Sequence, residues 1–342
     1  MNHSKPYLLV TGGAGFIGSN FIKYYLDTYP NAPLINVDKL TYAGSTSKLK
    51  EVENHENYHF IHGDITDEKL VQSIFEDFPI QGIIHFAAES HVDRSIEDAS
   101  SFIDTNVKGT MILLQAAKRE WERRGELKTA RFHQISTDEV YGSLDDEGKF
   151  NEHTPYDPRN PYSASKAGAN LLVKSFGYTY GMNVVLSSSS NNYGPNQHVE
   201  KLIPTIISNA LNHRPIPIYG DGKNIREWLY VEDHCRALDL IFHHGKSMES
   251  YNVGGGNEMK NIDLAVEICE ILDHTYPAYK GSLASFKELI TFTKDRLGHD
   301  RRYAVDDTKL RGTLGWQPII EMEQGLQETV EWYVEQWTPL SR

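Results

Sequence analysis

The chain has 342 residues and a formal net charge of −13, and 39% of its residues are hydrophobic. Its length predicts one large domain with a smaller one, and its acidity disfavours binding of nucleic acid or an anionic membrane through the general surface. No apolar run approaches the length that spans a bilayer, and the polar residues 1–6 lack an apolar signal segment, so we expect a cytoplasmic protein.

A glycine-rich turn follows the first predicted strand, the apolar run at residues 7–11. Gly12, Gly15 and Gly18 have the spacing G-x-x-G-x-x-G. Glycines at such a turn allow a tight bend, close approach of the backbone to a pyrophosphate and close packing of the next helix. The spacing departs from G-x-G-x-x-G, but the strand before it and the helix after it are the context that a dinucleotide-binding turn requires.

An acidic residue ends the second predicted strand, residues 34–37. Asp38 lies twenty residues beyond Gly18, the spacing of a carboxylate that binds a ribose 2′-hydroxyl. This predicts NAD in preference to NADP, because the acid would repel a 2′-phosphate. Lys39 is adjacent and could weaken that repulsion, and a simple turn residue is the alternative for Asp38.

Two further strands are predicted at residues 58–62 and 82–86. Asp64 follows the first and is placed to reach an adenine amino group, or else to cap a helix over 66–78. Small side chains follow the second strand, where they would let a cofactor approach the backbone. His85 lies inside that strand, so we expect a hydrogen-bonded core residue there.

Helical patterns over 99–124 and 161–181 alternate with strands at 131–135 and 183–186. This alternation predicts an α/β fold with a doubly wound parallel (Rossmann) sheet. It becomes irregular near Tyr193, which predicts a second, smaller C-terminal α/β substrate domain.

We therefore expect an NAD-binding Rossmann domain with the catalytic residues at 1–192. Residues 193–342 would mainly bind the substrate, and the chain could cross back between the two.

Three polar residues, Thr137, Asp138 and Glu139, lie together where the predicted strand 131–135 ends. Ligands bind at strand carboxyl ends in open α/β sheets. Adjacent carboxylates can divide acid and base roles if their environments separate their pKa values, although solvated loop charges are the alternative. Adjacent side chains on a strand point to opposite faces, so we expect a turn or helix start at 138–139.

Tyr162 and Lys166 are four residues apart and share one face of the helix that Pro161 opens. A phenol normally titrates near 10. A neighbouring ammonium and an oxidised nicotinamide would both favour the phenolate. Bringing the Tyr162 pKa near neutral requires about 3 pKa units, or roughly 4 kcal/mol. A surface Tyr and Lys on an amphipathic helix is the alternative.

Amides at Asn191 and Asn192 follow the strand at 183–186, in a stretch predicted to be a loop, and suit sugar hydroxyls or a nicotinamide. Cationic residues recur beyond them, among them Lys201 and Arg226. An arginine beside an aromatic residue suits a diphosphate attached to a base, whereas each arginine alone could be a solvated surface charge.

These motifs together resemble a known family. The glycine-rich turn at 11–18 and Tyr162-x-x-x-Lys166 are similar to the extended short-chain dehydrogenase/reductases that act on nucleotide sugars. The Asp-Glu pair is typical of the dehydratases of that branch and usually absent from its epimerases.

The resemblance narrows further at residues 86–95, 190–195 and 226–234, which are most similar to the dTDP-glucose 4,6-dehydratase family. Residues 295–303 also fit, with Leu297 where proline is common. The resemblance extends from Leu8 to about Trp332.

The resemblance implies a reaction sequence on the hexose. Thr137 would bind the C4 hydroxyl, and Tyr162 would take its proton while hydride passes from C4 to NAD. The 4-ketone would acidify the C5 proton, which Glu139 would remove. Asp138 would protonate the departing C6 hydroxyl, after which hydride returns to C6 and C5 is reprotonated.

The resemblance also implies the site residues. The catalytic residues would be Thr137, Asp138, Glu139, Tyr162 and Lys166. The cofactor NAD would contact Gly12, Gly15, Phe16, Ile17, Gly18, Asp38, Lys39, Asp64, Ile65, Ala87, Ala88, Ser90, Thr105, Tyr162, Lys166 and Asn192. The nucleotide sugar would contact Ser90, His91, Thr137, Asn191, Lys201, Leu202, Pro217, Tyr219, Arg226, Asn261, Arg296, His299 and Tyr303.

Assembly follows from the same resemblance: the helices at 99–124 and 161–181 would form a four-helix interface in a homodimer. No metal is expected, because the histidines lack metal-ligand spacing with acidic partners. Cys235 and Cys269 lie in apolar, helix-like stretches, which indicates buried thiols.

Two other interpretations stay open. One is a 4-epimerase or a dehydratase of a UDP- or GDP-sugar, since no single residue identifies the base. The other is a catalytically silent dinucleotide-binding sensor, whose signature would be loss of Tyr162, Lys166 or the Asp-Glu pair.

Overall fold

The computed structural model describes residues 5–295 and 299–337. Its strands are β1 (Tyr7–Thr11), β2 (Leu34–Asp38), β3 (Tyr58–His62), β4 (Ile80–His85), β5 (Arg131–Thr137), β6 (Val184–Ser189), β7 (Asn191–Tyr193), β8 (Ile216–Tyr219), β9 (Ile225–Tyr230), β10 (Ser250–Val253), β11 (Asn257–Lys260) and β12 (Ile290–Thr293).

The α-helices are α1 (Phe16–Thr28), α2 (Glu68–Asp77), α3 (Val92–Glu97), α4 (Ser100–Phe102), α5 (Thr110–Arg124), α6 (Pro161–Tyr180), α7 (Leu202–Leu211), α8 (Val231–His244), α9 (Asn261–Thr275), α10 (Thr308–Leu314) and α11 (Met322–Trp337). Short 3₁₀ turns occupy Thr46–Leu49, Asp138–Tyr141, Pro277–Lys280 and Phe286–Leu289.

A seven-stranded parallel sheet with the order β3-β2-β1-β4-β5-β6-β10 forms the centre of the molecule. Apolar residues of α2, α5 and α6 cover one face, and those of α1 and α8 cover the other. Because both faces are covered, β1 and β2 are buried along their whole length. The predicted α/β doubly wound sheet is confirmed.

A second group of elements packs around a separate apolar cluster formed largely by α7, α9 and α11. It contains a three-stranded sheet, β11-β9-β7, and a parallel pair, β12-β8. Two later elements pack on the central sheet: β10 pairs with β6 at its edge, and α8 packs against α1.

The predicted helix over 99–124 is not one continuous α-helix. Between α4 and α5, Ile103–Gly109 form a π-helical stretch. Asn106 there turns inward: its Oδ1 accepts from Glu89 N at 2.8 Å, and its Nδ2 donates to Glu89 O at 3.0 Å and to Ser165 Oγ at 2.8 Å. The wider turn thus joins the end of β4 to α6, a contact that helical periodicity cannot reveal.

The strand predicted at 183–186 also extends further, to Ser189, because its serines pair with β5 and β10. Asn191 and Asn192 then belong to the short strand β7 and not to a loop.

Three smaller expectations can be compared with the described residues. His85 is a buried core residue as predicted, with Nδ1 2.6 Å from Thr11 Oγ1 and Nε2 2.9 Å from Thr110 Oγ1. Cys235 and Cys269 are buried free thiols, also as predicted. Within the described ranges, every helix is too short or too polar to traverse a bilayer, and no group of three His, Cys, Asp or Glu side chains is arranged to hold a metal.

We predict opposite stability effects for two helical glycines. A Cβ on Gly325 in α11 would lie 2.4 Å from Tyr193 Oη and 3.0 Å from Tyr230 Cδ2. Gly325→Ala should therefore lower the unfolding free energy by about 1–3 kcal/mol through overpacking. Gly312→Ala in α10, where an added Cβ meets nothing within 4 Å, should raise it by about 0.5–1 kcal/mol. Urea unfolding of both variants checks this, and equal effects would contradict the packing of α11.

Candidate active site

One cleft runs along the carboxyl ends of the central strands, from the glycine-rich turn to the start of α7. Its lining includes every residue predicted to be catalytic or to contact the cofactor. Of the predicted substrate residues, Ser90, Thr137, Asn191 and Lys201 line it as well. The parallel sheet explains why these residues lie together, because the carboxyl ends of parallel strands lie at the same edge of the sheet.

The other predicted substrate residues lie outside this lining. Arg226 and Tyr303 lie near the carboxyl groups of Asp138 and Glu139, whereas Nε2 of His91 lies 3.4 Å from a carboxylate oxygen of Glu200. Pro217 and Tyr219 lie on β8, Leu202 packs into the second apolar cluster, Asn261 begins α9, and the ring of His299 meets that of Tyr219 edge-on. Arg296 lies outside the described residues.

The glycine-rich turn is closely packed on its inner side. Gly12 has φ +74°, and a Cβ there would lie 2.5 Å from Ala87 N. A Cβ on Gly18 would lie 2.4 Å from Gly12 O. Only glycine can hold this turn against the end of β4, and the exposed backbone that results fits the pyrophosphate of a dinucleotide.

The end of β2 holds Asp38 in a fixed orientation. Its Oδ2 accepts from Ala14 N and its Oδ1 from Leu40 N, both at 2.8 Å. Lys39 instead pairs with Asp64 at 2.7 Å. Burial raises the pKa of Asp64, but hydrogen bonds from Lys39 and Thr66 outweigh it and leave that pKa below its ordinary value. The arrangement leaves Asp38 as the carboxylate that fits a ribose hydroxyl.

Asp64 is also not the helix cap. The helix predicted over 66–78 begins at Glu68, and the N-cap is Asp67, which accepts from Lys69 N and Leu70 N.

The backbone bends after Thr137, as predicted. β5 ends there and Asp138–Tyr141 form a 3₁₀ turn. Thr137 Oγ1 caps this turn by accepting from Glu139 N at 3.3 Å and donates to Asp138 Oδ1 at 3.2 Å. The bend lets two adjacent carboxyl groups face the same cleft.

Asp138 is 1% exposed, and its Oδ2 has no hydrogen-bond partner among the described residues. Burial raises its pKa well above the ordinary value, and the carboxylates of Glu139 and Glu227 raise it further. The Thr137 hydroxyl and Arg226 oppose this shift without cancelling it. Burial therefore favours the protonated form of Asp138.

Glu139 lies in a different environment. Burial raises its pKa as well, but the Asn160 amide, which donates to its Oε2 at 3.3 Å, and the cations Arg226 and Lys201 lower it. Glu139 is thus the member of the pair that ionises more readily, which suits a base beside an acid.

Tyr162 and Lys166 are buried on the first turns of α6. Asn160 caps this helix in a capping box with Ser163, which fixes the direction of both side chains. Lys166 Nζ donates to Ile135 O at 2.7 Å, and burial lowers its pKa to about 8.

The predicted lowering of the Tyr162 pKa is wrong for the chain's own groups. Burial raises that pKa above its ordinary value, and Glu139 and Asp138 raise it further, against a hydrogen bond with Thr137. The sequence placed a cation near the phenol but did not reveal how close the two carboxylates are.

Several residues of the cleft were not predicted from sequence. They are Thr41, Ala43 and Gly44 after β2, Glu89 after β4, Ser189 and Ser190 at the end of β6, and Gln197, His198 and Glu200 before α7. Their only sequence signal is that they follow strands or adjoin predicted residues. Asn192 lines the cleft, but its amide binds Ser189 Oγ, Ser190 O and the His234 ring, so its side chain is largely committed to protein contacts.

Comparisons with known proteins agree on one class. Residues 9–329 match the family model described as GDP-mannose 4,6 dehydratase. The chain is 51% identical to a probable dTDP-glucose 4,6-dehydratase of Sinorhizobium fredii, covering 97% of this chain and 95% of that one. It is 50% identical to the dTDP-glucose 4,6-dehydratase of Haemophilus influenzae, covering 96% and 97%.

Solved structures agree with this. A dTDP-glucose 4,6-dehydratase of Streptomyces venezuelae with NAD and TYD bound is 42% identical, with a TM-score of 0.86, covering 97% of this chain and 99% of that one.

We predict that Asn160 keeps the pKa of Glu139 from rising further. Asn160→Ser retains a good N-cap but removes the amide that donates to Glu139 Oε2. The pKa of Glu139 should rise, while the thermal midpoint stays close to that of the parent. Carbon-13 NMR titration of labelled glutamate, with Glu139→Gln to assign the signal, measures this. An unchanged or lowered pKa would contradict the assigned contact.

Proposed function

This chain belongs to the family of dTDP-glucose 4,6-dehydratases, and we propose that it converts dTDP-glucose to dTDP-4-keto-6-deoxyglucose with NAD as cofactor. The steps are oxidation at C4, elimination of water across C5 and C6, and reduction at C6 with a proton returned to C5. The observation that supports this most is the pair Asp138 and Glu139, bent into one cleft in environments that separate their proton affinities.

NAD fits the first half of the cleft. The backbone around Gly12, Gly15 and Gly18 would hold the pyrophosphate, and Asp38 would bind the adenosine ribose. When bound in its oxidised form, NAD supplies a hydride acceptor for C4, a positive charge, and afterwards the hydride for C6. We propose that this part of the chain, up to about residue 192, mainly binds the cofactor, and that the later part mainly binds the nucleotide.

The first proton transfer would involve Tyr162 and Thr137, whose side chains hydrogen-bond to each other. Thr137 would orient the C4 hydroxyl, and the Tyr162 phenolate would take its proton. Because the nearby carboxylates disfavour the phenolate, the proton transfer requires added positive charge at the site. The Lys166 ammonium, anchored on Ile135 O, contributes part of it.

The elimination would use the two carboxyl groups. Once C4 is a ketone, the C5 proton is acidic, and Glu139 takes it. The C6–O bond breaks as Asp138 gives its proton to the departing hydroxyl, which leaves as water. One proton enters Glu139 and one leaves Asp138, so the pair as a whole keeps its charge.

The base and the reaction class need a direct test, because the family model and the named relatives differ in nucleotide. Mass spectrometry of dTDP-glucose, UDP-glucose and GDP-mannose after incubation should show loss of one water from dTDP-glucose first. Unchanged mass with C4 inverted in the proton NMR spectrum would indicate an epimerase, and no turnover of any sugar would indicate a sensor.

We further propose a homodimer through a four-helix interface made by α6 and the helical segment from α4 to α5 of each copy. Apolar side chains stand exposed there: Ile103 is 49%, Leu171 59% and Tyr178 79% exposed. Leu171 and Tyr178 are seven residues apart and so share one helix face. Burying such a face against its own copy is the common outcome for symmetric oligomers.

We predict that Glu139→Gln stops the reaction after C4 oxidation. The amide cannot take the C5 proton, so elimination should fall by about 10²–10⁴-fold, while the ultraviolet absorbance of reduced nicotinamide still appears. Stopped-flow absorbance and mass spectrometry measure the two steps. Glu147→Gln, at an exposed carboxylate of the following loop, serves as the control. Dehydration at the parent rate by Glu139→Gln would remove Glu139 from the mechanism.

We predict that Leu171→Glu dissociates the dimer, because it places a charge in each half of the proposed interface. Sedimentation velocity should show a monomer for this variant and a dimer for the parent. Ile319→Glu, at a site 59% exposed on another surface, should leave the dimer intact. A parent protein that sediments as a monomer would refute the interface.

A further inference from the structure

We propose that Arg302 is a positioning residue for the elimination step: it fixes one wall of the active site, formed by Arg226, Asp300 and Tyr303, against the catalytic carboxylates. The inference rests on the proposed function, since it assigns Arg302 a role in that reaction.

The wall consists of three side chains bound to each other. Arg226 Nη2 donates to Asp300 O at 2.9 Å, and its guanidinium carbon lies 4.4 Å from the centre of the Tyr303 ring. Tyr303 Oη donates to Asp300 Oδ2. All three are at least nine-tenths buried, so they move together if they move at all.

This wall acts on the catalytic pair by its charge. Arg226 lowers the pKa of both Asp138 and Glu139, whereas Asp300 raises that of Glu139. The positions of these groups relative to the carboxylates therefore affect how protons are shared between acid and base.

Arg302 holds the chain segment that carries two of the wall residues. It is 7% exposed, and its guanidinium forms a bidentate ion pair with Glu258 on β11: Nε lies 2.6 Å from Oε2 and Nη2 lies 2.9 Å from Oε1. Its Nη1 donates to Asp145 O at 3.3 Å and to Gly148 O at 3.0 Å. Bidentate pairs of this kind are the strongest and most directional of side-chain contacts.

The backbone of Arg302 makes the same connection. Leu144 N donates to Arg302 O at 3.0 Å, and Arg302 also bridges to Ile225 at the start of β9. Leu144 belongs to the loop that follows the 3₁₀ turn Asp138–Tyr141, and β9 carries Arg226. One residue thus joins the loop after the acid–base pair, the strand of the wall arginine and the segment of Asp300 and Tyr303.

Arg302 acts through these contacts and not as a ligand. Four hydrogen bonds commit its guanidinium to Glu258, Asp145 and Gly148, and a guanidinium has only five N–H donors. Its effect on the reaction is therefore geometric, through the distance between Arg226 and Glu139.

Loosening Arg302 has a defined consequence for pH dependence. If the wall moves away from Glu139, the pKa of Glu139 loses both Arg226, which lowers it, and Asp300, which raises it. The effect of Arg226 is the larger of the two, so the pKa of Glu139 rises. The base must be ionised, so the elimination rate rises with pH through the pKa of Glu139. The rising limb of the pH profile should therefore shift to higher pH.

The test compares Arg302→Gln, Arg302→Lys and Glu258→Gln with a matched control, Arg301→Gln. Arg301 is the neighbouring arginine, but its side chain is exposed and makes a single ion pair with Asp221 at 3.3 Å. Its backbone carbonyl, which binds Ile225 N, stays in the control. Single-turnover rates of C4 oxidation and of elimination are measured across pH, together with thermal midpoints.

We expect Arg302→Gln to slow elimination by about 10–10²-fold, since a displacement of about 1 Å can cost that much, with a smaller effect on C4 oxidation and an upward shift of the rising limb. Arg302→Lys and Glu258→Gln should shift the profile in the same direction by less, and Arg301→Gln should match the parent. Equal slowing of both steps with an unshifted profile would overturn the proposal. If Arg302→Gln does not fold, Glu258→Gln alone tests the proposal. The side chain of Glu258 is partly exposed, so its replacement should leave the protein folded.

Failure of the positioning role of Arg302 can be distinguished from failure of the proposed function. If the parent fails to dehydrate dTDP-glucose, the function is wrong. NMR titration of Glu139 in Glu258→Gln and Arg301→Gln still tests the positioning role, because a raised pKa in the first alone supports it and unchanged values in both refute it.

Discussion

The structure depends on the burial of two adjacent carboxyl groups at the end of one strand. Asp138 and Glu139 cannot both be charged in a dry cleft without a large desolvation cost. The surroundings of the two carboxyl groups offset this desolvation cost to different extents. Asp138 has no strong donor, so burial favours its protonated form, while Glu139 has an amide and two cations near it. The same difference in environment separates the proton affinities of the two groups, as the acid and the base of the proposed elimination require.

The central sheet and the second group of elements contribute different residues to the surroundings of Asp138 and Glu139. Parallel strands bring the carboxyl groups, the phenol and the glycine-rich turn to one edge. The cations that act on Glu139 come from β9 and from the residue before α7, both beyond β6 in the chain. The environment of Glu139 is therefore completed only when the later part of the chain packs against the sheet.

The same buried carboxyl groups also affect the phenol of Tyr162, whose pKa they raise. These are the groups that we propose to remove and donate protons. A phenolate then forms only where positive charge is added beside it, so the first step depends on a fully assembled site.

The sequence by itself determined the parallel sheet, the glycine-rich turn, the position of Asp38 at the end of the second strand, the helix of Tyr162 and Lys166, and the bend at the Asp-Glu pair. These follow from periodicity, glycine placement and the opposite faces of adjacent strand residues, all of which are local. Tertiary structure alone decided the π turn around Asn106, the bond from Asn160 to Glu139, the sign of the Tyr162 pKa shift and the ion pair of Arg302 with Glu258. Each of these depends on distances between groups that are remote in the chain or brought together by a bend. Electrostatic energies vary with distance and burial, and a linear pattern of residues contains neither.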